Sequence, residues 1–429
     1  MRIMTSQEFS EETLEQVVNR GKTDLSEIST SVKNIITDIK ETGDDAILRY
    51  TEKFDNVRLV PSKLKVTSQE IKEAYKKLSK DQITALKNAA KNIARFHKKQ
   101  IKNKLSIETA KGVRIGQVTK PLSSVGVYAP GGKASYPSSA LMCIIPAKVA
   151  GVKEIVVCSP PGENGSISPS LLVAADLAGA TAIYRVGGAQ AIASMAYGTQ
   201  TVHKVDKIVG PGNAFVMAAK LEVSKDVAID IPAGPSEVLI IADEAANPSV
   251  VASDLVAQAE HDSRAWAILL TTSKELASAV KEQVYKIMKT LSRAEIVKSS
   301  IKNGGLIVIV KNIEEAVQYA NLIAPEHLEI LTKNPRTVFD KIQNAGAVFL
   351  GEYSPVAFGD YSSGLNHVLP TGGYARYYSG LSARDFVKTV NFLQCSKQGY
   401  LNLKKTTVTL AEMEGFDAHA NSVRVRGEA

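Results

Sequence analysis

The chain has 429 residues, of which 44% are hydrophobic and 22% charged, with a formal net charge of +8. This length predicts two or three domains with substantial cores, and the composition is that of a globular protein. No run of about eighteen apolar residues occurs, and the polar start MRIMTSQEFSEETLEQ lacks a secretory signal core, so we expect neither a membrane span nor secretion. The few, widely spaced cysteines, Cys143, Cys158 and Cys395, argue against a disulfide framework and favour the reducing cytoplasm.

The positive charge raises the question of nucleic-acid binding. The densest basic stretch, HKKQIKNK over His97–Lys104, ends a helical pattern that starts near Ser68. We interpret it as a solvated helix face, because the chain contains no nucleic-acid-binding motif. A non-enzymatic nucleic-acid binder is therefore an alternative that rests on net charge alone.

Taken from the N-terminus, residues 6–105 repeat apolar positions every three or four residues and predict a mostly helical segment. From Ser123, short β-rich runs such as SSVGVYA, EIVVCSP, AIYRV and KVDKIVG alternate with helical segments. A second alternating series begins at Glu237 with EVLIIAD and continues through WAILLTT, GLIVIV, HLEIL and AVFLG. Such alternation predicts an α/β fold with two parallel-sheet units, and the cleft between them is the expected place for a site.

A Gly-, Tyr- and Ser-rich stretch follows Gly351 and runs to about residue 380. A loop of this length inside a compact domain is usually functional or disordered, and its aromatic and small residues favour a functional loop. A helix over Ala383–Gln394 and a polar tail complete the predicted elements.

Three glycine-containing turns connect predicted strands to predicted helices: APGGKASYP, VGGAQAI and VGPGNAF. None matches a standard phosphate motif, since Lys133 is followed by Ala134 and Phe215 stands where a dinucleotide fingerprint has glycine. Tight-turn chemistry explains any one of them alone. Three such turns in one unit, however, predict helix N-termini that bind an anion such as a pyrophosphate, and thus a nucleotide-binding unit.

The chain has six histidines, of which His97 and His203 stand among lysines and are expected at the surface. The other four have polar neighbours: Gln258 with His261, Glu326 with His327, Asp360 with His367, and Glu414 and Asp417 with His419. Imidazole with carboxylate suits zinc or a similar metal. The spacing matches no standard short zinc motif, so solvated polar turns explain these residues equally well.

The pair Glu326 and His327 lies in IAPEHLEIL, between a predicted helix and a predicted strand. Adjacent strand residues point to opposite sides, whereas in a loop entry both side chains reach the same cleft. Glutamate and histidine are a common proton-transfer pair at neutral pH. The alternative is a helix end before Pro325 with two solvated side chains.

Several of these stretches together resemble the histidinol dehydrogenase family. They are VGGAQAIA, GPGNAFV, IPAGPSEVLI, AQAEHD, IAPEHLEI, FGDYSSGLNHVLPTGG, SGLSARDFVK and EGFDAHANSV. The resemblance runs in order from about Thr5 to Val425. It implies oxidation of L-histidinol through L-histidinal to L-histidine, the last two steps of histidine biosynthesis, with NAD⁺ as oxidant and one Zn²⁺ per subunit.

The resemblance also implies roles for individual residues. Glu326 would activate the water that attacks the aldehyde, and His327 would move protons in both steps. The implied zinc ligands are Gln258, His261, Asp360 and His419. These four would also contact substrate, together with Ser236, His327, His367 and Glu414. The implied NAD contacts are Tyr128, Gln190 and Asn213.

The fold that the resemblance implies has two incomplete Rossmann-like units, a helical N-terminal segment and a small C-terminal helical tail. The implied division is a helical domain of residues 1–22 and 380–405, a unit of 23–124 and 237–379 with the catalytic pair and metal ligands, an NAD-binding unit of 125–236, and a tail of 406–429. In the implied homodimer this tail lies over the partner's site, so Glu414 and His419 would act in trans. Asp262–Trp266 departs from the Pro- or Gly-bearing turn that often follows His261 in the family.

A thiol-dependent aldehyde dehydrogenase is a rival enzymatic interpretation, since acyl-level oxidation often proceeds through a thiohemiacetal. Cys143 in ALMCIIP is the candidate nucleophile. The apolar helix around it favours a buried structural cysteine instead.

Overall fold

A computed structural model describes residues 1–21, 26–101, 104–131, 135–231 and 234–427. The strands form a six-stranded and a five-stranded sheet, both parallel, and a three-stranded antiparallel sheet. This architecture confirms the predicted α/β fold with two Rossmann-like parallel-sheet units and helical ends.

The N-terminal part of the chain is mostly helical, as predicted, but it begins with a strand and ends with a hairpin. Its elements are β1 (Arg2–Thr5), α1 (Ser6–Glu8), a π-helical turn (Phe9–Thr13), α2 (Leu14–Val18), α3 (Ser26–Thr42), α4 (Asp44–Asp55), a 3₁₀ turn (Pro61–Lys63), α5 (Ser68–Lys77), α6 (Lys80–His97), β2 (Lys104–Ala110) and β3 (Val113–Pro121). Capping boxes at Thr67 and Ser79 define the starts of α5 and α6.

The five-stranded unit follows as one continuous segment. Its elements are β4 (Ser124–Tyr128), α7 (Pro137–Ala150), β5 (Glu154–Ser159), α8 (Pro169–Ala178), β6 (Ala182–Arg185), α9 (Gly188–Tyr197), β7 (Lys207–Val209), α10 (Ala214–Val223) and β8 (Ala228–Ile229), with strand order β6-β5-β4-β7-β8. Every residue of β4 is buried, because helices cover both faces of the sheet. Among the helices in the described part of the chain, none has both the length and the apolar character needed to cross a membrane.

The six-stranded unit occupies most of the remaining chain. Its elements are β9 (Glu237–Ala242), α11 (Pro248–Ala259), β10 (Trp266–Thr271), α12 (Lys274–Met288), α13 (Ala294–Gly304), β11 (Gly305–Ile309), α14 (Ile313–Ile323), β12 (His327–Leu331), α15 (Pro335–Phe339), β13 (Ala347–Leu350) and α16 (Val356–Tyr361). The strand order is β1-β11-β10-β9-β12-β13, so the N-terminal strand is an edge of this sheet. The predicted strands EVLIIAD, WAILLTT, GLIVIV, HLEIL and AVFLG are confirmed.

The C-terminal part of the chain differs most from its predicted elements. Its elements are two 3₁₀ turns (Tyr374–Arg376 and Ala383–Phe386), β14 (Val387–Cys395), α17 (Lys397–Met413), α18 (Asp417–Arg424) and a last 3₁₀ turn (Val425–Gly427). The predicted helix over Ala383–Gln394 is therefore wrong. β14 pairs residue by residue with β3, from Val387 opposite Pro121 to Cys395 opposite Val113, and this distant partner decides the conformation.

His97 is a second correction, because its predicted surface position is wrong. The side chain is fully buried at the end of α6, and Nδ1 lies 2.7 Å from Oε1 of Gln100. His203 is exposed, as predicted, and contacts Glu154. Lys98 and Lys99 of the basic stretch are also exposed, which agrees with a solvated face.

Gly210, the residue after β7, adopts a φ of +119°, and a Cβ there would lie 2.1 Å from the backbone oxygen of Tyr128 at the end of β4. Gly351 also has a positive φ, +82°, but a Cβ there would meet nothing within 4 Å. Gly351→Ala should therefore lower the free energy of unfolding by roughly 1–2 kcal/mol, because alanine is unfavourable in the left-handed conformation. Gly210→Ala should cost about 1–3 kcal/mol more, because strands β4 and β7 must separate. Thermal unfolding of both variants measures this difference, and equal melting temperatures would contradict it.

Candidate active site

One cleft, with a volume of about 680 Å³, is lined by residues of both parallel-sheet units. The predicted site residues that line it are Tyr128, Gln190, Asn213, Ser236, His261, Glu326, His327, Asp360 and His367. Gln258, Glu414 and His419 are not among its lining residues. The cleft thus brings together most, but not all, of the side chains that the sequence singled out.

The two sheets present opposite ends of their strands to the cleft. The five-stranded sheet contributes the carboxyl ends of β4 and β7, which is where open α/β sheets usually bind ligands. The six-stranded sheet contributes the amino ends of β9 and β12, since Ser236 precedes β9 and His327 begins β12. The cleft therefore combines helix-start turns from one unit with polar side chains from the other.

The turns of the five-stranded unit are cross-connected by hydrogen bonds. The Tyr128 hydroxyl accepts from the Gly188 N–H at 3.2 Å, which joins the end of β4 to the start of α9. Burial raises the pKa of Tyr128 to about 12, so the phenol keeps its proton at neutral pH. Gln190 is only 2% exposed but lines the cleft. Gly132–Ala134, the middle of APGGKASYP, lie outside the described residues.

Asn213 has a structural role that its position in the turn did not reveal. Its Oδ1 accepts from the N–H groups of Phe215 and Val216, both at 3.1 Å, and so caps the start of α10. The preceding turn is held by Asp230, which accepts from the Gly210 N–H at 2.7 Å and pairs with Lys220. The α10 N-terminus is thereby fixed at the wall of the cleft.

Glu326 and His327 are both nearly buried, 5% and 3% exposed, and both face the cleft. Oε2 of Glu326 lies 3.5 Å from Nδ1 of His327 and accepts from the Glu237 N–H at 2.9 Å. Of the two orientations that the sequence left open, the structure has the one in which both side chains reach the same site. The alternative of two solvated side chains is wrong.

The tautomer of His327 follows from its backbone contact. Nδ1 lies 3.1 Å from the carbonyl oxygen of Glu237, and because a carbonyl can only accept, Nδ1 carries a proton. Nε2 then exchanges protons, and it lies 3.6 Å from Oδ1 of Asp360. The imidazole is thus oriented with its basic nitrogen towards a carboxylate.

The charges in this site are strongly coupled. Burial raises the pKa of Glu326 to about 8, against the positive charge of His327. Burial alone would lower the pKa of His327, but Glu326 and Asp360 together raise it to about 9. Asp360 is also buried, yet His327 holds the pKa of that carboxyl below its usual range. These opposed effects couple the proton on Nε2 of His327 to the charges of the two acids beside it.

The predicted zinc ligands are only partly assembled within one chain. Gln258, near the end of α11, is 3% exposed, and its amide nitrogen has no hydrogen-bond partner in the described part of the chain. His261 follows one turn later, and its N–H donates to the Gln258 carbonyl at 3.2 Å. The charges of His261 and Asp360 act on each other across the cleft. Across the described ranges, no three His, Cys, Asp or Glu side chains cluster as a metal site would require.

These donors nevertheless fit a borderline metal such as zinc. Imidazole nitrogen and carboxylate oxygen are common zinc ligands. Rotation of the Gln258 amide exchanges its oxygen and nitrogen, so its unpartnered end can present oxygen to a cation. Gln258, His261 and Asp360 could hold such a metal from one chain, together with a further donor supplied from elsewhere.

His367 and the predicted tail residues lie in different surroundings. Nδ1 of His367 lies 3.0 Å from the Asp360 carbonyl, and Nε2 lies 3.3 Å from the Ser139 hydroxyl of α7, so the ring bridges the two units. Glu414 and His419 are exposed on the C-terminal helices and do not line the cleft of their own chain.

Two buried carboxyl groups were not found by the sequence analysis. Glu237 begins β9 and is 2% exposed, and Glu329 in β12 is fully buried. Oε1 of Glu329 accepts from the Val356 N–H at 2.9 Å, at the start of the helix that carries Asp360. Glu237 starts the apolar run EVLIIA, and Glu329 stands between leucine and isoleucine in HLEIL, so an acid next to buried apolar residues was the available signal.

Comparison with known proteins adds to this geometry. The histidinol dehydrogenase family profile matches residues 18–427. The chain belongs to the histidinol dehydrogenase family. Histidinol dehydrogenase of Methanothermobacter thermautotrophicus is 49% identical over 424 residues and that of Clostridium acetobutylicum 51% over 400 residues, covering 99% and 93% of this chain and 99% and 92% of the relatives. The crystal structure of histidinol dehydrogenase from Elizabethkingia anophelis has a TM-score of 0.94 at 41% identity, covering 100% of this chain and 97% of that one.

Membership of the histidinol dehydrogenase family makes the chain an oxidoreductase. The predicted resemblance is confirmed, and it holds over nearly the whole chain rather than over single motifs. The non-enzymatic alternative, which rested on net charge, is set aside by this membership.

The carboxyl groups of Glu329 and of Asp254 in α11 are hydrogen-bonded to each other. Burial raises the pKa of Asp254 to about 6 and that of Glu329 well above its usual range. Stability from the protonated forms is present at about pH 4 and lost as pH rises through the folded pKa of about 6. Asp254→Asn should therefore raise the melting temperature at pH 8 but not at pH 4.5.

The control for this prediction is Asp340→Asn, which removes an exposed carboxylate paired with Arg336. It should change the melting temperature little and by similar amounts at both pH values. An Asp254→Asn variant that is less stable than the original chain at pH 8 would contradict the proposed protonation.

Proposed function

We propose that the chain catalyses the NAD-dependent, zinc-requiring, four-electron oxidation of L-histidinol through L-histidinal to L-histidine, the last two steps of histidine biosynthesis. The observation that carries the proposal is the buried Glu326–His327 pair, which faces the same cleft as the turns of the five-stranded unit. The names of the relatives support the substrate. The four-electron chemistry requires both a base and an activated water, and this pair offers a group for each.

The nucleotide part of the proposal rests on the turns after β4, β6 and β7. Helices α9 and α10 begin at the cleft, and the positive end of each helix dipole favours a negatively charged diphosphate. We propose that Tyr128, Gln190 and Asn213 contact NAD. The Gly188 φ of +59° is a backbone conformation that lets the chain approach a ligand closely.

The metal part of the proposal assigns Gln258, His261 and Asp360 of one chain, with His419 of a second copy, as zinc ligands. Ser236, His327, His367 and Glu414 complete the proposed substrate contacts. When bound, NAD⁺ supplies a hydride acceptor for each oxidation, and zinc supplies a Lewis-acidic anchor for substrate nitrogen or oxygen atoms.

In the first oxidation the substrate carbinol loses a hydride from carbon and a proton from oxygen. His327 is placed to accept that proton at Nε2, while its Nδ1 remains hydrogen-bonded to the Glu237 carbonyl. Asp360, 3.6 Å from Nε2, stabilises the imidazolium that forms. His327 thus has the orientation and the charge partner that a general base requires.

The second oxidation first requires addition of water to the aldehyde. Ionised Glu326 is placed to take a proton from this water, and the positive charge of His327 at 3.5 Å favours the ionised carboxylate. The imidazolium of His327 next releases its Nε2 proton to solvent. The hydrate then loses a hydride from carbon, and its hydroxyl proton passes to Nε2 of the neutral His327. One acid and one imidazole therefore suffice for both steps.

The thiol-dependent route has no matching group in the cleft. Cys143 is fully buried in α7 and does not line the cleft. Burial also raises the pKa of this thiol far above neutrality, so its nucleophilic thiolate is suppressed. We propose a cytoplasmic location as well, which the free, unpaired state of all three cysteines supports.

A homodimer with exchanged tails is proposed on the basis of one apolar surface. Large hydrophobic side chains are exposed on the three-stranded sheet and on the C-terminal helices: Leu105, Ile107, Ile115, Val390, Leu393, Leu401, Leu410, Met413 and Phe416. Ile107, Ile115 and Leu393 are direct cross-strand neighbours on this sheet, and a contiguous exposed apolar patch favours a protein partner. Glu414 and His419 belong to the same tail, so a second copy seated here would carry them towards the cleft.

The experiment that tests the proposed function follows NAD⁺ reduction by the purified chain with L-histidinol, with and without a zinc chelator. Turnover that is lost on chelation and restored by Zn²⁺ is expected. Absence of histidinol-dependent NADH formation by the zinc-loaded chain would overturn the proposal.

The division of labour between Glu326 and His327 can be tested separately. Glu326→Gln keeps an oxygen for the Glu237 N–H but removes the base, so single-turnover oxidation of histidinal should slow by about 10²–10⁴-fold. Oxidation of histidinol should slow far less. Glu329→Gln, which changes a glutamate three residues further along the chain in β12, should leave the ratio of the two rates unchanged. Equal slowing of both half-reactions in Glu326→Gln would contradict the assignment.

Tail exchange can be tested by mixing two inactive variants. If His261 and His419 of one site come from different chains, His261→Asn and His419→Asn should each be inactive alone. A heterodimer of the two keeps one intact site, so random reassociation should recover about a quarter of the original activity by symmetry. Activity measured after joint refolding checks this, and no recovery despite proven heterodimers would place both ligands in one chain.

A further inference from the structure

Glu237 contacts the Glu326–His327 pair at three points. Its N–H donates to Oε2 of Glu326 at 2.9 Å, and its carbonyl accepts from the His327 imidazole at 3.1 Å. Its side-chain Oε1 accepts from the Glu326 N–H, also at 3.1 Å. The backbone and side chain of one residue therefore fix the position of both members of the pair.

The carboxylate of Glu237 is in turn fixed by Arg20, between α2 and α3. Nε and a terminal nitrogen of Arg20 each donate to one carboxylate oxygen, in a two-point ion pair whose side chains are 2% and 3% exposed. The other terminal nitrogen donates to the carbonyls of Val17 at 2.7 Å and Ile323 at 3.0 Å. This geometry uses the planar donor set of arginine, which lysine cannot reproduce.

The same contacts stabilise an unusual backbone just before Glu326. Ile323 is the last residue of α14, and Ala324 adopts a left-handed φ of +50°. A non-glycine residue in this conformation is unfavourable and persists only where its surroundings hold it. Arg20 binds the carbonyl on one side of Ala324, and Glu237 binds the N–H of Glu326 on the other.

The loop that contains Gly372 contacts the Arg20–Glu237 ion pair as well. The Gly372 N–H donates to Oε1 of Glu237 at 3.1 Å. A Cβ on Gly21 would lie 2.4 Å from the Gly372 oxygen, so the two backbones are in direct contact beside Arg20. The N-terminal segment, the start of β9, the α14–β12 junction and this loop thus meet at one ion pair.

We propose that Arg20 and Glu237 are positioning residues for the Glu326–His327 pair, and that the ion pair maintains catalytic geometry rather than stability alone. The inference rests on the proposed function. Neither residue is proposed to touch substrate; their effect is transmitted through the Glu326 backbone and the α14–β12 junction. A displacement of about 1 Å in a catalytic group can cost about 10²-fold in rate, which is the size of effect we expect.

The variants are Glu237→Gln, Arg20→Lys and the double variant Arg20→Met/Glu237→Gln. Glu237→Gln leaves Arg20 charged without a counterion and is expected to lower the melting temperature. The double variant removes both charges, and replacement of a buried ion pair by neutral groups is often tolerated, so it should fold with near-original stability. Arg20→Lys keeps the charge but loses the two-point geometry.

Glu70→Gln is the matched control. Glu70 pairs with Arg185, whose side chain is 3% exposed and whose second terminal nitrogen also donates to two carbonyls, those of Lys63 and Lys65. This ion pair shares the arginine contacts to two carbonyls, but it has a single contact to a carboxylate that is 35% exposed, and it lies outside the cleft lining. Its loss should lower the melting temperature while leaving kcat within about twofold of the original value, because a surface-side ion pair contributes only locally.

The measurements are kcat, the KM values for histidinol and NAD⁺, zinc content and melting temperature, each at a temperature where all variants are folded. We expect Glu237→Gln and the double variant to lose about 100-fold in kcat, and Arg20→Lys about tenfold, with both KM values within about threefold and full zinc content. The double variant is decisive. A melting temperature near the original value together with a kcat that stays low would support a positioning role for the ion pair.

A double variant with near-original stability and near-original kcat would overturn the inference and leave the ion pair a structural role. A loss of kcat in Glu70→Gln as large as in Glu237→Gln would overturn it too. If the unaltered chain itself does not oxidise histidinol, the proposed function fails, and that outcome is separate from either result.

Discussion

The reciprocal hydrogen bonds between Glu237 and Glu326 are the interaction on which the site depends. They join the amino ends of two adjacent parallel strands, β9 and β12, at the point where the six-stranded sheet meets the cleft. Strand pairing continues with His327 opposite Val238, so the position of the imidazole is set by the register of the sheet. The pair therefore stands on a rigid element, which is what proton transfer over short distances requires.

The burial of so many charged groups in this site is unfavourable. Glu326, Asp360 and Glu237 are three buried acids, opposed within the described part of the site by His327 and Arg20. Burial of charge is costly unless each charge has a partner and hydrogen bonds. Here every acid has at least one such contact, and the raised pKa of Glu326 shows how closely burial competes with ionisation. The chemistry proposed for the pair depends on that balance.

The local patterns of apolar and polar residues in the sequence predicted much of this structure. The alternation of short apolar runs with helical segments predicted both parallel sheets, because buried parallel strands are short apolar runs between helices. The turns at Gly188 and Gly210 and the pair at Glu326 were visible as local anomalies. The proposed zinc ligands and NAD contacts, by contrast, came from resemblance, since Gln258 is not a ligand that spacing alone would indicate.

What the sequence did not predict depends on distant partners. β14 was predicted as a helix, and its strand conformation is decided by pairing with β3, 266 to 282 positions earlier in the chain. His97 was predicted at the surface because its neighbours are lysines, but Gln100 and Asn366 enclose its ring. Arg20 and Glu237 are 217 residues apart, and no local pattern joins them.

The placement of β1 has a consequence for synthesis of the chain. β1 pairs with β11, so Arg2 cannot pair until Leu306 has been synthesised. The six-stranded sheet is complete only after β12 and β13 have also been made. The five-stranded sheet, by contrast, is built from one uninterrupted segment between Ser124 and Ile229. Since domains fold as units while the ribosome is still working, we expect the proposed nucleotide-binding half to form first. The half with the acid–base pair would then complete its sheet, leaving β1 unpaired for most of translation.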